Sequence, residues 1–99
     1  MSDEDQIAIT IGRAARAKDL LENELLKECF TTLETSYTQA WRSTTIDDVS
    51  GREKLFLAIN IVGKVKDHLQ HVIDGGKMAQ AHLNELNRIA ERKKRFGIL

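Results

Sequence analysis

The apolar residues in the first half of the chain recur at the spacing of an α-helix. From about Gln6 to Thr44, apolar side chains such as Leu21, Leu25 and Cys29 follow one another every three or four residues. The pattern predicts one helix over residues 6–44, about 60 Å long at ~1.5 Å per residue. A chain of 99 residues is too short to wrap a core around such a helix, so the molecule is expected to be elongated.

The helical pattern stops in residues 45–50, where β-branched and cap-forming residues replace good helix formers. Ser50 and Glu53 have the spacing of a capping box, in which each side chain accepts a hydrogen bond from the other residue's backbone N–H. The sequence therefore predicts a turn over residues 45–50 and a second helix over about 51–92.

The second helix carries a heptad pattern that continues across the pair Gly75-Gly76. The pattern predicts that the helix runs through the glycines, with or without a bend there. If the chain folds back antiparallel at the turn, facing residue numbers sum to about 94, so the two backbones approach closely where small residues meet. Gly75, Gly76 and Ala79 then lie opposite Ala14, Ala15, Ala17 and Lys18. The heptad positions are Val62, Val65, Leu69, Val72, Gly76, Ala79, Leu83, Leu86 and Ala90.

These elements predict an all-α fold, an antiparallel hairpin of two long helices that forms a single domain over residues 1–99. Residues 55–62 are apolar almost all round, and one partner helix cannot cover them. Two helices of this length also bury too little to offset the ordering of the backbone, about 1–2 kcal/mol per residue. The hairpin is therefore expected to assemble into a homo-oligomer through its loop end. The predicted interface residues are Trp41, Leu55, Phe56, Leu57, Ile59, Ile61 and Val62.

Composition and charge support this picture. Proline is absent, and the net charge is zero. Residues 1–49 hold ten acids and five bases, and residues 50–99 hold five acids and ten bases, so the halves carry −5 and +5. This asymmetry favours contact between the halves, within a chain or between chains, and argues against a wholly basic nucleic-acid binder. In the antiparallel alignment, Asp3, Glu4 and Asp5 are expected to pair with the basic end of the second helix.

That basic end is the one candidate nucleic-acid contact. Adjacent bases there could neutralise phosphates, although pairing with the acidic start and with the helix dipole is the favoured interpretation. The residues concerned are Arg88, Arg92, Lys93, Lys94 and Arg95.

No other residues form a convincing chemical site. His68 and His71 share a helix face and could in principle bind zinc, but their spacing of three and the absence of further ligands favour solvated surface. Cys29 stands among apolar residues and is expected to be a buried small side chain in a reducing compartment. Neither catalytic residues nor a cofactor or metal is predicted.

Four segments resemble short helical proteins encoded by tailed bacteriophages and prophages: residues 17–24 (AKDLLENE), 40–44 (AWRST), 51–53 (GRE) and 62–65 (VGKV). The resemblance implies a structural, assembly or packaging role in a phage. Small terminase subunits, whose rings are built around helical hairpins, are similar in size and shape. This chain departs from them because it has no N-terminal helix-turn-helix segment, so direct DNA recognition is not implied.

The sequence thus predicts a non-enzymatic, self-assembling phage component, located in the host cytoplasm or the virion. Other phage proteins are candidate partners. No membrane association is expected, because there is neither a signal sequence nor an apolar run of about 20 residues. One alternative is a small regulatory protein that binds a host partner, and a further alternative is nucleic-acid binding through the basic end.

Overall fold

The computed structural model describes residues 2–95 and 97, which form three α-helices and no strand. Helix α1 spans Asp3–Glu22, α2 spans Glu24–Arg42 and α3 spans Val49–Arg95. Helices α1 and α2 follow each other along one side of α3, which runs back antiparallel to both. The prediction of an all-α, elongated molecule is confirmed, since the chain measures 75 × 26 × 20 Å.

The prediction of one continuous helix over residues 6–44 is wrong at Asn23. This residue leaves the helical conformation, with a ψ angle of 121°, and its side-chain oxygen accepts a hydrogen bond of 2.9 Å from the Leu26 backbone N–H. Asparagine offers the backbone this alternative to helical pairing and is among the strongest N-cap residues. The first arm of the hairpin therefore consists of two helices.

Helix α3 begins within two residues of the predicted start, but its capping residue differs from the predicted one. Helix α3 begins at Val49, and its cap is Asp48, whose carboxylate accepts a hydrogen bond of 3.0 Å from the Gly51 backbone N–H. The capping box predicted at Ser50 and Glu53 is not formed, because Ser50 already lies inside the helix. Asp48 provides a stronger acceptor two residues earlier, with a charge that the helix dipole favours.

Helix α3 is continuous across Gly75 and Gly76, as the heptad pattern predicts. Gly76 is buried directly against Ala14 of α1, so closely that a Cβ atom on Gly76 would overlap the Ala14 methyl group. The predicted close approach of the two backbones is therefore confirmed. Because Gly76 faces Ala14, facing residue numbers sum to about 90 in this part of the hairpin.

The hairpin has very little interior. Ile7, Ala17 and Gly76 are the buried residues of the described chain. The protein exposes 7902 Å² of surface, whereas a compact chain of its mass would expose about 5,700 Å². The excess, roughly 2,200 Å², is more than the ~800 Å² that each partner buries in a standard interface.

Helix α3 extends beyond the start of α1. In the register set by Gly76 and Ala14, Asp3 lies level with residue 87, so residues 88–95 have no α1 beside them. These eight residues, which we name the overhang, span about 12 Å. The predicted ion pairs between Asp3–Asp5 and the basic end are wrong: within residues 2–95 and 97, no such pair comes within 4.0 Å. The ion pairs do not form because α3 extends past the start of α1, so its basic residues lie beyond Asp3, Glu4 and Asp5.

Candidate self-association face

The predicted interface residues fall into two groups. Phe56, Leu57 and Ile61 are exposed, and Phe56 and Ile61 show 57% and 61% of their surface to solvent. The remaining members, Leu55, Ile59 and Val62 on α3 and Trp41 on α2, are half-buried on the sides of their helices that face within the hairpin. The structure therefore leaves only part of the predicted set free to contact another molecule.

Trp41 is held inside the hairpin by the turn. The Arg52 guanidinium lies over its ring, 4.7 Å from the ring centroid. The same guanidinium donates a hydrogen bond of 2.9 Å to the Thr44 hydroxyl, which in turn donates to the Trp41 carbonyl at 2.6 Å. Arg52 thus joins the end of α2 to the start of α3, and this arrangement occupies one face of the indole ring.

Three exposed apolar residues of α3 form a row with four-residue spacing. Leu57, Ile61 and Val65 lie one above the other on the same side of the helix, and the half-buried Leu69 continues the row. A groove runs along this row, lined by Ile61, Val65 and Leu69 together with Lys64 and His68.

Helix α1 contributes to the same side of the hairpin. A second groove is lined by Leu20 and Arg16 of α1 and by His68 and Leu69 of α3. Since His68 and Leu69 line both grooves, Leu20 adjoins the row on α3. Leu20 exposes 49% of its surface.

Helix α2 continues this side with a row of its own. Each residue of this row comes directly before a half-buried residue of α2, just as Leu20 comes directly before the half-buried Leu21 of α1. One residue of an α-helix corresponds to a rotation of about 100°, so the row points to the same side of the hairpin as Leu20. The row comprises Leu25, Cys29 and Leu33. We name the combined surface the apolar face; its members are Leu20, Leu25, Cys29, Leu33, Leu57, Ile61 and Val65.

Phe56 does not belong to the apolar face. It follows the half-buried Leu55, whereas Ile61 precedes the half-buried Val62, and five residues of helix turn the two side chains about 140° apart. The predicted interface therefore combines residues from opposite sides of α3. It also omits Val65 and all the apolar residues of α1 and α2 on this side. The four-residue spacing from Leu57 to Leu69 could have indicated the α3 row.

The expected burial of Cys29 is also wrong, because its side chain is exposed on α2. The heptad-like spacing that includes Cys29 continues from α1, but the break at Asn23 resets which residues of α2 face inward. Leu26 and Phe30 take the inward positions, and Cys29 is turned aside.

Basic side chains border the grooves of this side on α1 and α3. Arg13, Arg16, Lys64, His68 and His71 line its grooves on α1 and α3, and these grooves contain no carboxylate. The half-buried Lys66 lies within the hairpin, where its ammonium group reaches Glu34 at 3.2 Å. On α1 and α3 the aliphatic side chains of the apolar face are thus bordered by the positive charges of Arg13, Arg16 and Lys64.

The histidines are placed as surface groups. His68 and His71 are exposed on α3. In the described part of the chain, no three histidine, cysteine, aspartate or glutamate side chains are close enough together to hold a metal ion.

The basic residues of the overhang are exposed, and one of them is paired on its own helix. Arg88 contacts Glu85 at 2.8 Å, and its hydrogen bond and charge lower the pKa of the Glu85 carboxyl. Arg92, Lys93, Lys94 and Arg95 make no ion pair within 4.0 Å to any other described residue. Their charges are therefore available to a second molecule.

Comparison with models of protein families, with curated proteins and with solved structures finds no match. The resemblance to phage-encoded helical proteins thus stays a hypothesis that rests on the four short segments. Among residues 2–95 and 97, no helix combines the length and apolar character needed to cross a membrane.

Proposed function

We propose that the chain is a non-enzymatic structural protein that self-assembles through the apolar face. The observation that carries the proposal is the exposure of seven residues of one side, from all three helices, on a hairpin with almost no interior. Covering a leucine or isoleucine side chain fully contributes about 1.5–3 kcal/mol. A second copy that covers several of them therefore offsets much of the cost of ordering an isolated hairpin.

A second copy is the occupant that best explains the shape of this surface. The face is a strip of side-chain rows along all three helices, and helical hairpins pack on one another through the ridges that such rows form. Pairing about a twofold axis would place each apolar face against its equivalent. The basic border then stays at the rim, where solvent and salt screen its charges.

We further propose that this assembly serves a virion assembly or packaging step. The support is the resemblance of four segments to helical proteins of tailed bacteriophages, in which hairpins of this size act as subunits of larger assemblies. Under this proposal the working surface of the protein is its helical interface.

The test compares two exposed positions on opposite sides of α3. In 500 mM salt, light scattering over a concentration series should give an oligomer for the wild type and a monomer for Ile61→Glu, because a carboxylate on the apolar face opposes its burial. Phe56→Glu is the matched control, with nearly the same exposure and the same charge change, and should leave the mass unchanged.

Leu25→Glu on α2 extends the test to a second helix and should also dissociate the oligomer. Circular dichroism should report folded helices in all three variants. A wild-type chain that stays monomeric up to millimolar concentration would overturn self-assembly and favour a different protein as the occupant of the apolar face.

A further inference from the structure

The open end of the hairpin presents two surfaces of opposite charge that do not meet within one chain. Asp3, Glu4 and Asp5 occupy the first turn of α1, and all three are exposed. The overhang ends in Arg92, Lys93, Lys94 and Arg95. Since Asp3 lies level with residue 87, even Arg92 is five residues, or about 7.5 Å, further along the axis.

The overhang also continues the packing side of α3 with no helix against it. Leu83 and Leu86 are half-buried, but Ala90, the next heptad position, is exposed, and so is Ile89. Ala90 and Ile89 are exposed because α1 does not extend to their level, whereas the apolar pattern of α3 continues unchanged. The overhang therefore offers a place where another helix can take the position that α1 holds elsewhere.

We propose that the overhang of one copy docks end to end with the open end of a second copy. In this arrangement the two overhangs lie antiparallel, and each fills the space beyond the other copy's α1. The basic end of each α3 then reaches the acidic first turn of the other copy's α1. The C-terminal end of α3, which has a partial negative charge, also meets the N-terminal end of the other copy's α1, which has a partial positive charge.

Charge complementarity selects a second copy as the occupant. Two overhangs of eight residues, aligned antiparallel, bring Glu91 of each copy level with Arg92 of the other. The three acids that start each α1 face four bases of the other chain, whereas a foreign polyanion would leave those acids unpaired and repelled. The −5 and +5 charges of the two halves fit the same arrangement.

The end contact differs physically from the apolar face. It is small and electrostatic, so it should weaken as the screening length falls from about 30 Å at 0.01 M salt to about 3 Å at 1 M. Together, a side contact and an end contact would join hairpins into extended assemblies instead of closed dimers.

The experiment uses the full-length Ile61→Glu chain, in which the apolar face is blocked, so that the end contact is measured alone. Sedimentation velocity in 20 mM salt should show association that weakens at least about tenfold in 500 mM salt. In this background, an acid variant (Asp3→Lys, Glu4→Lys) and a base variant (Arg92→Glu, Lys93→Glu, Lys94→Glu, Arg95→Glu) should each lose association. Asp5 is kept because it forms the capping box with Ser2.

The decisive measurement is the equimolar mixture of the acid variant and the base variant. In a mixed pair, the overhang of each variant faces the first turn of the other variant's α1, which has the opposite net charge. Association should therefore return to the level of the Ile61→Glu parent. Folded variants that fail to associate when mixed would overturn the proposal.

The same variants also test the alternative that the basic end of α3 binds a polyanion. It would appear as salt-sensitive binding of a 20-base-pair DNA duplex that the base variant loses, together with no self-association of the Ile61→Glu chain in 20 mM salt. That result would overturn end-to-end docking, and it would leave the apolar-face proposal unaffected.

Discussion

Gly76 of α3 lies directly on Ala14 of α1, and the contact leaves no room for a side chain at residue 76. Gly75 beside it faces open space, with nothing within 4 Å of the position a Cβ would take. The two glycines are neighbours in one helix, so they share the same intrinsic cost relative to alanine, about 1 kcal/mol. Only the tertiary contact distinguishes them.

We expect Gly76→Ala to destabilise the fold by about 1–3 kcal/mol, because the new methyl group forces the helices apart and outweighs the gain in helix propensity. Gly75→Ala is the matched control and should stabilise the fold by about 0.5–1 kcal/mol. Urea unfolding followed by circular dichroism measures both. Ala14→Gly should restore part of the loss in the Gly76→Ala variant, and equal effects of the two alanine substitutions would contradict the close contact.

The break at Asn23 depends on one side-chain hydrogen bond to Leu26. Asn23→Ala should lower the free energy of unfolding by about 1 kcal/mol, since the first turn of α2 loses its cap. Asn87, exposed in the interior of α3, provides the control: Asn87→Ala should be neutral or slightly stabilising because alanine is the better helix former. A stabilising Asn23→Ala would indicate that α1 and α2 form one helix in solution.

The start of α3 provides a comparison between the observed cap and the predicted one. Asp48→Ala should cost about 1 kcal/mol, because the Gly51 N–H loses its acceptor. Ser50→Ala should leave stability unchanged or raise it slightly, since Ser50 lies within the helix. Thermal unfolding of the two variants measures the difference, and the opposite order would move the cap to Ser50.

Cys29 is an internal reporter of the apolar face. An exposed thiol should react with a disulfide reagent without denaturant, at a rate close to that of the unfolded chain. If copies pair through the apolar face, the rate should fall as protein concentration rises, because Cys29 becomes covered. In the Ile61→Glu chain the rate should not depend on concentration, and a concentration-dependent rate there would place the protection elsewhere.

Several parts of the fold could be predicted from the sequence because they depend on local chemistry. The heptad phase that runs through Gly75 and Gly76 identified a continuous helix, and the antiparallel alignment placed the two glycines opposite residues 14–18 of α1, although the exact contact of Gly76 with Ala14 came only from the structure. The same alignment failed at the open end. A facing sum of about 94 would place Arg88 and Arg92 beside the start of α1, whereas the observed sum of about 90 leaves the overhang uncovered.

The candidate site shows the same division. Apolar periodicity indicated that Leu57 and Ile61 lie on a surface that the hairpin cannot cover, but it could not separate them from Phe56. Which side of α3 is free depends on where α1 and α2 rest, and that position depends in turn on the cap at Asn23. Leu20 and Leu25, far from Ile61 in the chain, could be assigned to the same face only from the packing of the three helices.

The sequence by itself determined that this chain is helical, elongated and poor in interior, because helix propensity and apolar spacing act over a few residues. Tertiary structure alone decided which glycine is in contact, which side chains share a face and which charges stay apart. These properties depend on the axial register of two antiparallel helices, and a shift of four residues, about 6 Å, is enough to change them.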